Sequence, residues 1–515
     1  MSAYDQAVTR NNRWAILAVL CGALFIVSLD NTIVNVALPS IQKDLSASTS
    51  ELQWIVDAYA VLFAGFLLLA GSLGDRFGRR LIFVIGLVIF AIGSGAAVFT
   101  HTGGQLALCR ALMGIGGAFV MPSTLSILVQ TFPEPRERTR AIGIWAAVSG
   151  LGVAIGPLAG GALLEHFSWH SVFAVNPPIA VIVLIAAFVL VPESVNPLKP
   201  RLDLVGAFLW AIGLIGLVLT IIELPDSGWS TQTVTFAVVT LLAMVGFVVW
   251  ERRVETPILP LSLFASRTFD LAITIVALLY FALSGAMFFF PQFLQLVQGR
   301  TPFESGLAIL PGATLLVIFA VVSPRLGERF GSRTLVVVGL LLVSAGLVAA
   351  STFTATSPTL FVSASLGVVG IGMGLALPHA TSAVLGSVPP ERAGIGSAVN
   401  ETMGEVGSAL GVAVLGALLS TSYRATIDAA ITAAGRTIDV IPTQALDQVR
   451  ESLAGASVAI PQFPAEYIEP ARRIVGEAFV NSMDNALFVG AGVVLLGAIL
   501  AFAFFPTRLE NVGEH

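Results

Sequence analysis

Fourteen apolar runs of roughly 18 to 28 residues fix what this chain can become; they lie near 14–38, 54–72, 81–99, 105–130, 140–163, 172–192, 203–223, 233–250, 270–297, 305–322, 334–353, 359–380, 394–420 and 486–505. A helix rises about 1.5 Å per residue, so each run can cross ~30 Å of hydrocarbon. Barrel strands would instead alternate over about ten residues. The chain is therefore expected to be an all-α polytopic membrane protein. The first run is too long for a signal-peptide core and lacks a clear cleavage site, so it is read as a retained helix. Composition agrees, with 56% hydrophobic and 11% charged residues and a mean hydropathy of +0.91.

Orientation follows from the arginines. Of 26 Lys+Arg, 18 fall in the N-terminal tail and in alternate short loops, among them Arg76, Arg79, Arg80, Arg136, Arg325, Arg329 and Arg333. The opposite short loops hold only Lys43 and Arg300. Positive residues stay on the cytoplasmic side, so both termini are expected there.

Several function classes drop out. The net charge of −5 is small and spread along the chain, which suggests no nucleic-acid partner. Cys21 and Cys109 sit in separate apolar runs, with neither a disulfide framework nor metal spacing. His166 and His170 share a helical spacing, but a zinc site needs a further ligand, and no metal is expected. No Gly-Lys-Ser/Thr occurs, so the chain has no Walker A loop for ATP. "GIGMG", Gly370 to Gly374, lies inside an apolar run and reads as helix packing. No cofactor and no enzymatic activity are expected.

An internal repeat organises the chain. "LGDRFGRR", Leu73 to Arg80, returns as "LGERFGSR", Leu326 to Arg333, after the second and the tenth runs respectively. Equivalent helices thus stand eight apart, which implies two six-helix halves with two helices inserted between them. Paired halves around a midplane site are a transporter architecture. The expected division is 1–195 for the first half, 196–265 for the inserted pair and 266–515 for the second half, which includes a long extracytoplasmic segment, 423–482. Pro442, Pro461, Pro464 and Pro470 are expected to break that segment into a surface cap.

Charges inside the runs carry chemistry, because each costs ~2.5 to 3.5 kcal/mol at a helix centre on insertion scales. Counting from the outer run ends, Asp30 lies about 13 Å deep, Asp57 about 9 Å and Arg110 about 9 Å. Asp30 and Asp57 are candidates for proton or cation coupling, with Arg110 as charge partner and Asn31 as a further polar neighbour. Glu401 and Glu405 share a helix face at i,i+4, where two carboxylates resist being ionised together and one becomes a candidate proton carrier. "GVAIGPLAGG" places Gly152, Gly156 and Gly160 on one helix face open to close packing. Pro157 frees the carbonyl of Val153 and favours a bend, so this helix is expected to seal one bundle against the other. Phe288 to Phe290 suit either a drug cavity or a lipid-facing surface.

These motifs together resemble the major facilitator superfamily. "GSLGDRFGRR", Gly71 to Arg80, resembles its loop signature, which assigns gating roles to Gly71, Asp75, Arg76, Gly78 and Arg79. "LALCRALMGIGGA" around Arg110 resembles its fourth-helix arginine motif, and the stretch ending in Gly160 and Gly161 is similar to its antiporter motif. "LDNTIVNVALP", "WIVDAYAVLFAGF", "LLEHFSWHSVFAVNPP" and "NETMGEVGSALGVAVLG" resemble the drug:proton antiporters with fourteen helices. The resemblance implies a major facilitator fold arranged as 6+2+6, in a bacterial plasma membrane, probing the lipid bilayer as a monomer. It implies exchange of protons for small amphipathic, often cationic, substrates by alternating access. A nutrient facilitator or proton symporter shares the fold, and the 24 to 2 preference for Arg over Lys fits a GC-rich genome and an antibiotic self-resistance exporter. Some relatives place a carboxylate in the tenth helix; "PGATLLVIFA", Pro311 to Ala320, has none, which puts doubly charged substrates in question.

Overall fold

The computed structural model describes residues 10–45, 49–195, 202–255, 257–389, 392–434 and 440–506. Among them, fourteen spans are long and apolar enough to cross a membrane, the number read from the sequence. The first five are α1 (Arg10–Leu45), α2 (Thr49–Phe77), α3 (Arg79–Ala97), α4 (Gly103–Thr131) and α5 (Pro135–His166). The sixth is divided into α6 (His170–Ala174) and α7 (Asn176–Leu190). Then come α8 (Leu204–Ser227), α9 (Thr231–Glu251), α10 (Arg267–Gln292), α11 (Pro302–Phe330), α12 (Ser332–Ala350), α13 (Thr359–Gly386) and α14 (Ala393–Ala434). Short helices α15 (Thr443–Glu451) and α16 (Leu453–Ala459) precede α17 (Ala465–Phe504).

The sequence repeat is also a structural repeat. Gly78 and Gly331 adopt φ of 126° and 84°, a region that L side chains avoid, and each turns the chain into the next helix. Arg76 lies over the Phe77 ring and Arg329 over the Phe330 ring, both at 5.4 Å. Arg80 donates to the carbonyl of Val191 just past α7 at 3.1 Å, and Arg333 donates to that of Phe505 just past α17. Each copy therefore pins the last helix of its own half.

Helices α8 and α9 pack as a pair. Gly65 of α2 lets Ile215 of α8 approach, and Val61, Ala64 and Val218 form a small core of their own there. The exposed face of α9 carries Val234, Val238, Leu241, Leu242 and Val245, the composition of a lipid-facing surface. At the arginine-rich end, Asp203 accepts from Trp250 Nε1 at 2.8 Å, and Glu251 accepts from the backbone of Ile258 and Leu259. Those bonds tie the pair to the segment that leads into α10.

Helices α5 and α11 pack closely against each other. Gly143 packs on the carbonyl of Ala320, Gly150 on Leu316, and Gly306 on Leu158. The stripe of Gly152, Gly156 and Gly160 lies on another face of α5, against α1. Small residues at both faces let α5 serve two close contacts.

The proposed cap over 423–482 is more helical than its prolines suggest. Helix α14 continues to Ala434, and Pro442 and Pro464 stand immediately before α15 and α17. Pro470 lies within α17 and does not end it, which departs from the expected break. Residues 435–439 lie outside the described residues.

Candidate functional site

The site grows from α1, where Ser28, Asp30, Ile33, Val34, Ala37 and Ile41 are buried while Asn31 and Asn35 are exposed. Asp30 is fully buried and pairs through Oδ2 with Arg110 Nη1 of α4, itself 1% exposed. A buried ion pair needs further hydrogen bonds to offset its desolvation. Arg110 Nε donates to the carbonyl of Ile55 at 3.0 Å, and its guanidinium lies 4.5 Å from the centre of the Tyr59 ring. Asp30 Oδ1 accepts from Asn176 Nδ2 at 2.9 Å.

Local sequence explains this convergence. Gly114 and Gly117, one and two turns beyond Arg110, present bare backbone to Tyr59, so α4 and α2 come close enough for the guanidinium to reach Ile55 and Tyr59. Asn176 follows from "NPP". Pro177 has no N–H and leaves the carbonyl of Phe173 without its helical donor. Ser94 Oγ of α3 fills that place at 2.8 Å, and Asn176 Nδ2 donates to the same hydroxyl at 3.1 Å. The proline-marked division of the sixth span thus aims Asn176 at Asp30.

The structure brings Asp30 and Arg110 together and distributes the other candidates. Asp57 is part-buried on α2 and takes part in a further polar interaction. Asn31 is exposed, and it is Asn176 that donates to Asp30. Glu401 is 7% exposed on α14 and accepts from Asn400 Nδ2 at 3.2 Å. Glu405 is part-buried one turn on. Among the described residues neither glutamate has a cation as a hydrogen-bond or ion-pair partner. Both act electrostatically on Tyr280 of α10, whose ring packs on Gly404 between them. Glu405 is also close enough to act electrostatically on Tyr59, the ring beneath Arg110.

Gating candidates cluster at the arginine-rich end. Asp75 Oδ1 accepts from Arg79 Nη2 at 2.8 Å and Nε at 3.1 Å. The same oxygen accepts the backbone N–H of Gly394 at the start of α14, at 3.1 Å, so the loop of one half binds the helix N-terminus of the other. Gly71 and Gly394 pack backbone to backbone and make that approach possible. Thr139 and Ser382 hydroxyls meet at 3.2 Å across the same seam.

In the glycine stripe, a side chain on Gly152 would meet Ser28 and Leu29, one on Gly156 would meet Thr32, and one on Gly160 would meet Ile33. The stripe therefore grips α1 on both sides of Asp30. A Cβ on Gly161 would meet nothing within 4 Å. Pro157 falls within α5, and its side chain lies outside the described residues. His170 stacks on Trp169 with ring centres 3.8 Å apart, and Nδ1 meets Ser168 Oγ at 3.2 Å. Phe289 and Phe290 are core residues, while Phe288 is 42% exposed.

A fourteen-span helical chain with a repeated half and buried charges between helices has the architecture of a secondary transporter. Residues 20–412 match the model of the Major Facilitator Superfamily. The chain is 33% identical over 98% of its length to the multidrug resistance protein Stp of Mycobacterium tuberculosis (strain CDC 1551 / Oshkosh), covering 94% of that protein. It is 34% identical over 96% of its length to the multidrug efflux pump LfrA of Mycolicibacterium smegmatis, covering 97% of it. The solved structure of the proton:xylose symporter XylE superposes with a TM-score of 0.63 at 14% identity, covering 98% of each chain, a likeness of fold. The chain belongs to the major facilitator superfamily and is a multi-pass protein of the bacterial plasma membrane.

Proposed function

We propose that this protein exports small amphipathic, often cationic, compounds in exchange for protons, by rocking two six-helix halves about a central cavity. The observation that carries the reading is the fully buried Asp30, held by Arg110 of α4, with a second set of carboxylates, Glu401 and Glu405, on α14. The name of LfrA, a multidrug efflux pump, supports the direction of transport. The halves are 1–195 and 266–515, with 196–265 as the inserted pair; the protein acts as a monomer, and the arginine-rich end faces the cytoplasm.

Chemically, a proton reaching Asp30 removes its charge and weakens its hold on Arg110. Arg110 keeps its bonds to Ile55 and Tyr59, so it shifts within a fixed pocket rather than leaving it. At α14, a cationic substrate or a second proton balances Glu401 and Glu405. Carrying one unit of charge across the membrane is worth ~2.3 kcal/mol per 100 mV, enough to bias a cycle in which proton and drug exclude one another. The contacts of Asp75 and Thr139 with the second half close the cytoplasmic end while the site loads or unloads on the other side.

Proteoliposomes with an imposed pH gradient and a fluorescent cation test this. Asp30→Asn is expected to abolish gradient-driven accumulation while retaining substrate binding. Normal concentrative transport with persistent substrate-induced proton release would assign coupling to Asp57 or the glutamate pair. Accumulation in the opposite direction would make the protein an importer.

A further inference from the structure

Asn176 is fully buried, and its two amide atoms have unequal company. Nδ2 serves both Asp30 Oδ1 at 2.9 Å and Ser94 Oγ at 3.1 Å. Oδ1 has no hydrogen-bond partner among the described residues. Ser94 spends its own hydrogen on the Phe173 carbonyl, so it can only accept from the amide. A buried acceptor without a donor costs on the order of 1–3 kcal/mol, so its retention calls for a reason.

We propose that Asn176 is the positioning residue that reads the protonation state of Asp30, by turning its amide end for end. This rests on the reading of Asp30 as the coupling carboxylate. With Asp30 ionised, an N–H must face it, which is the orientation seen. With Asp30 protonated, the carboxylic O–H is a donor, and the amide oxygen is the group that can accept it. The turn exchanges positions of atoms of nearly equal size, and one amide atom lacks a partner in either orientation. The count of unpartnered atoms therefore favours neither orientation, and the proton on Asp30 selects between them. Ser94 is freed in the turned state to donate either to the amide oxygen or to Phe173.

The other charged and titratable neighbours do not duplicate this role. From α4, Arg110 donates only and is committed to Oδ2. From α2, Tyr59 presents its ring to Arg110, Ile55 presents a carbonyl to it, and Asp57 is part-buried nearby in sequence. From α14, Glu405 is the charged group close enough to act on Tyr59. From α5, Ser149 bonds Ser28, two residues before Asp30. From α7, Asn176 is the group on Asp30, and through Ser94 and Phe173 it connects that carboxylate to the division between α6 and α7.

Infrared difference spectra of the purified full chain between low and high pH, with asparagine side chains isotope-labelled, read both groups. A carboxylic acid band that Asp30→Asn removes is expected, together with an amide band that Asn176→Leu removes. In Asn176→Leu the Asp30 acid band should move to the position of a carboxyl without an acceptor, and gradient-driven exchange should fall about tenfold. Ser94→Ala, which keeps Asp30 and Asn176 intact, should retain the pH-linked amide band and covers the case in which Asn176→Leu does not accumulate. If Asp30→Asn leaves the acid bands unchanged, Asp30 does not titrate and the coupling reading fails. If the Asp30 band is present but Asn176→Leu leaves it in place, or if no amide band follows pH in the parent and in Ser94→Ala, the coupling reading stands and the turning amide is wrong.

Discussion

The two halves hold their buried carboxylates in opposite ways. Asp30 is enclosed by a guanidinium, an amide and a hydroxyl behind the amide, whereas Glu401 and Glu405 have an asparagine, a tyrosine ring and each other. Both sites lie in a chain whose two loop copies share the turn glycine, the Arg–Phe stack and the arginine pin on the last helix of each half. The halves therefore kept a common scaffold while the charge balance of their interiors diverged. A half with a paired charge suits a switch that opens when the pair is neutralised. Carboxylates that among the described residues have no cation partner suit a place that accepts a cation.

The largest contrast is expected on removing the cation. Arg110→Leu leaves Asp30 buried without its partner, a change that typically costs ~3–5 kcal/mol. Glu405→Gln removes one of two like charges and should leave stability unchanged or slightly raised. Thermal unfolding of both variants in one detergent measures this. Equal losses would erase the distinction between the halves.

A smaller effect is expected at the stripe that grips α1. Gly156→Leu drives a side chain into Thr32, two residues beyond Asp30, and overpacking of this kind costs ~1–3 kcal/mol. Expression should survive and exchange should fall. Gly161→Leu, at a position where a Cβ meets nothing within 4 Å, is the control. Undiminished efflux in Gly156→Leu would reduce the stripe to ordinary packing.

The glutamate pair should betray itself by coupling. Glu401→Gln and Glu405→Gln each relieve the other carboxylate, so their combined effect on the pH dependence of transport should depart from the sum, with contacting residues commonly showing ~0.5–3 kcal/mol of interaction. Strict additivity across the four proteins of the cycle would mean that the two carboxylates act separately.

Much of this was legible in the residues, and the failures have physical causes. Run length alone predicts fourteen spans, because a helix must satisfy its backbone inside hydrocarbon. Asp30 and Arg110 are both visible as charges in apolar runs at compatible depths. Their partner Asn176 is visible only as a polar residue before two prolines. Sequence shows that Pro177 frees a carbonyl, but not that Ser94 from another helix bonds it. The partner of the glycine stripe on α5 is hidden for a similar reason. Gly143, Gly150, Gly152, Gly156 and Gly160 all suit close packing, and only the fold decides which face α11 takes and which α1 takes. Pro470 looks like a break, yet the helix continues through it.

The smallest expected effect tests the divergence at the loops. In the first copy, Asp75 and Arg79 are 2% and 1% exposed, and Asp75 binds the Gly394 N–H of the opposite half. In the second copy, Glu328 takes the place of Asp75 but Ser332 takes that of Arg79, so the local partner is gone. Glu328 instead reaches Arg136 at 3.8 Å, with side-chain exposures of 45% and 71%. An ion pair so open to water contributes ~0–1 kcal/mol and is weakened by salt. Glu328→Gln should therefore leave unfolding temperature and efflux close to the parent values, and Arg136→Gln should match it. Asp75→Asn, by contrast, removes the carboxylate charge beside a buried arginine and weakens the contact with Gly394, so it should lower exchange clearly. If Glu328→Gln lowers exchange as much as Asp75→Asn does, the two loop copies carry equal duty and the asymmetry between the halves is confined to their interiors.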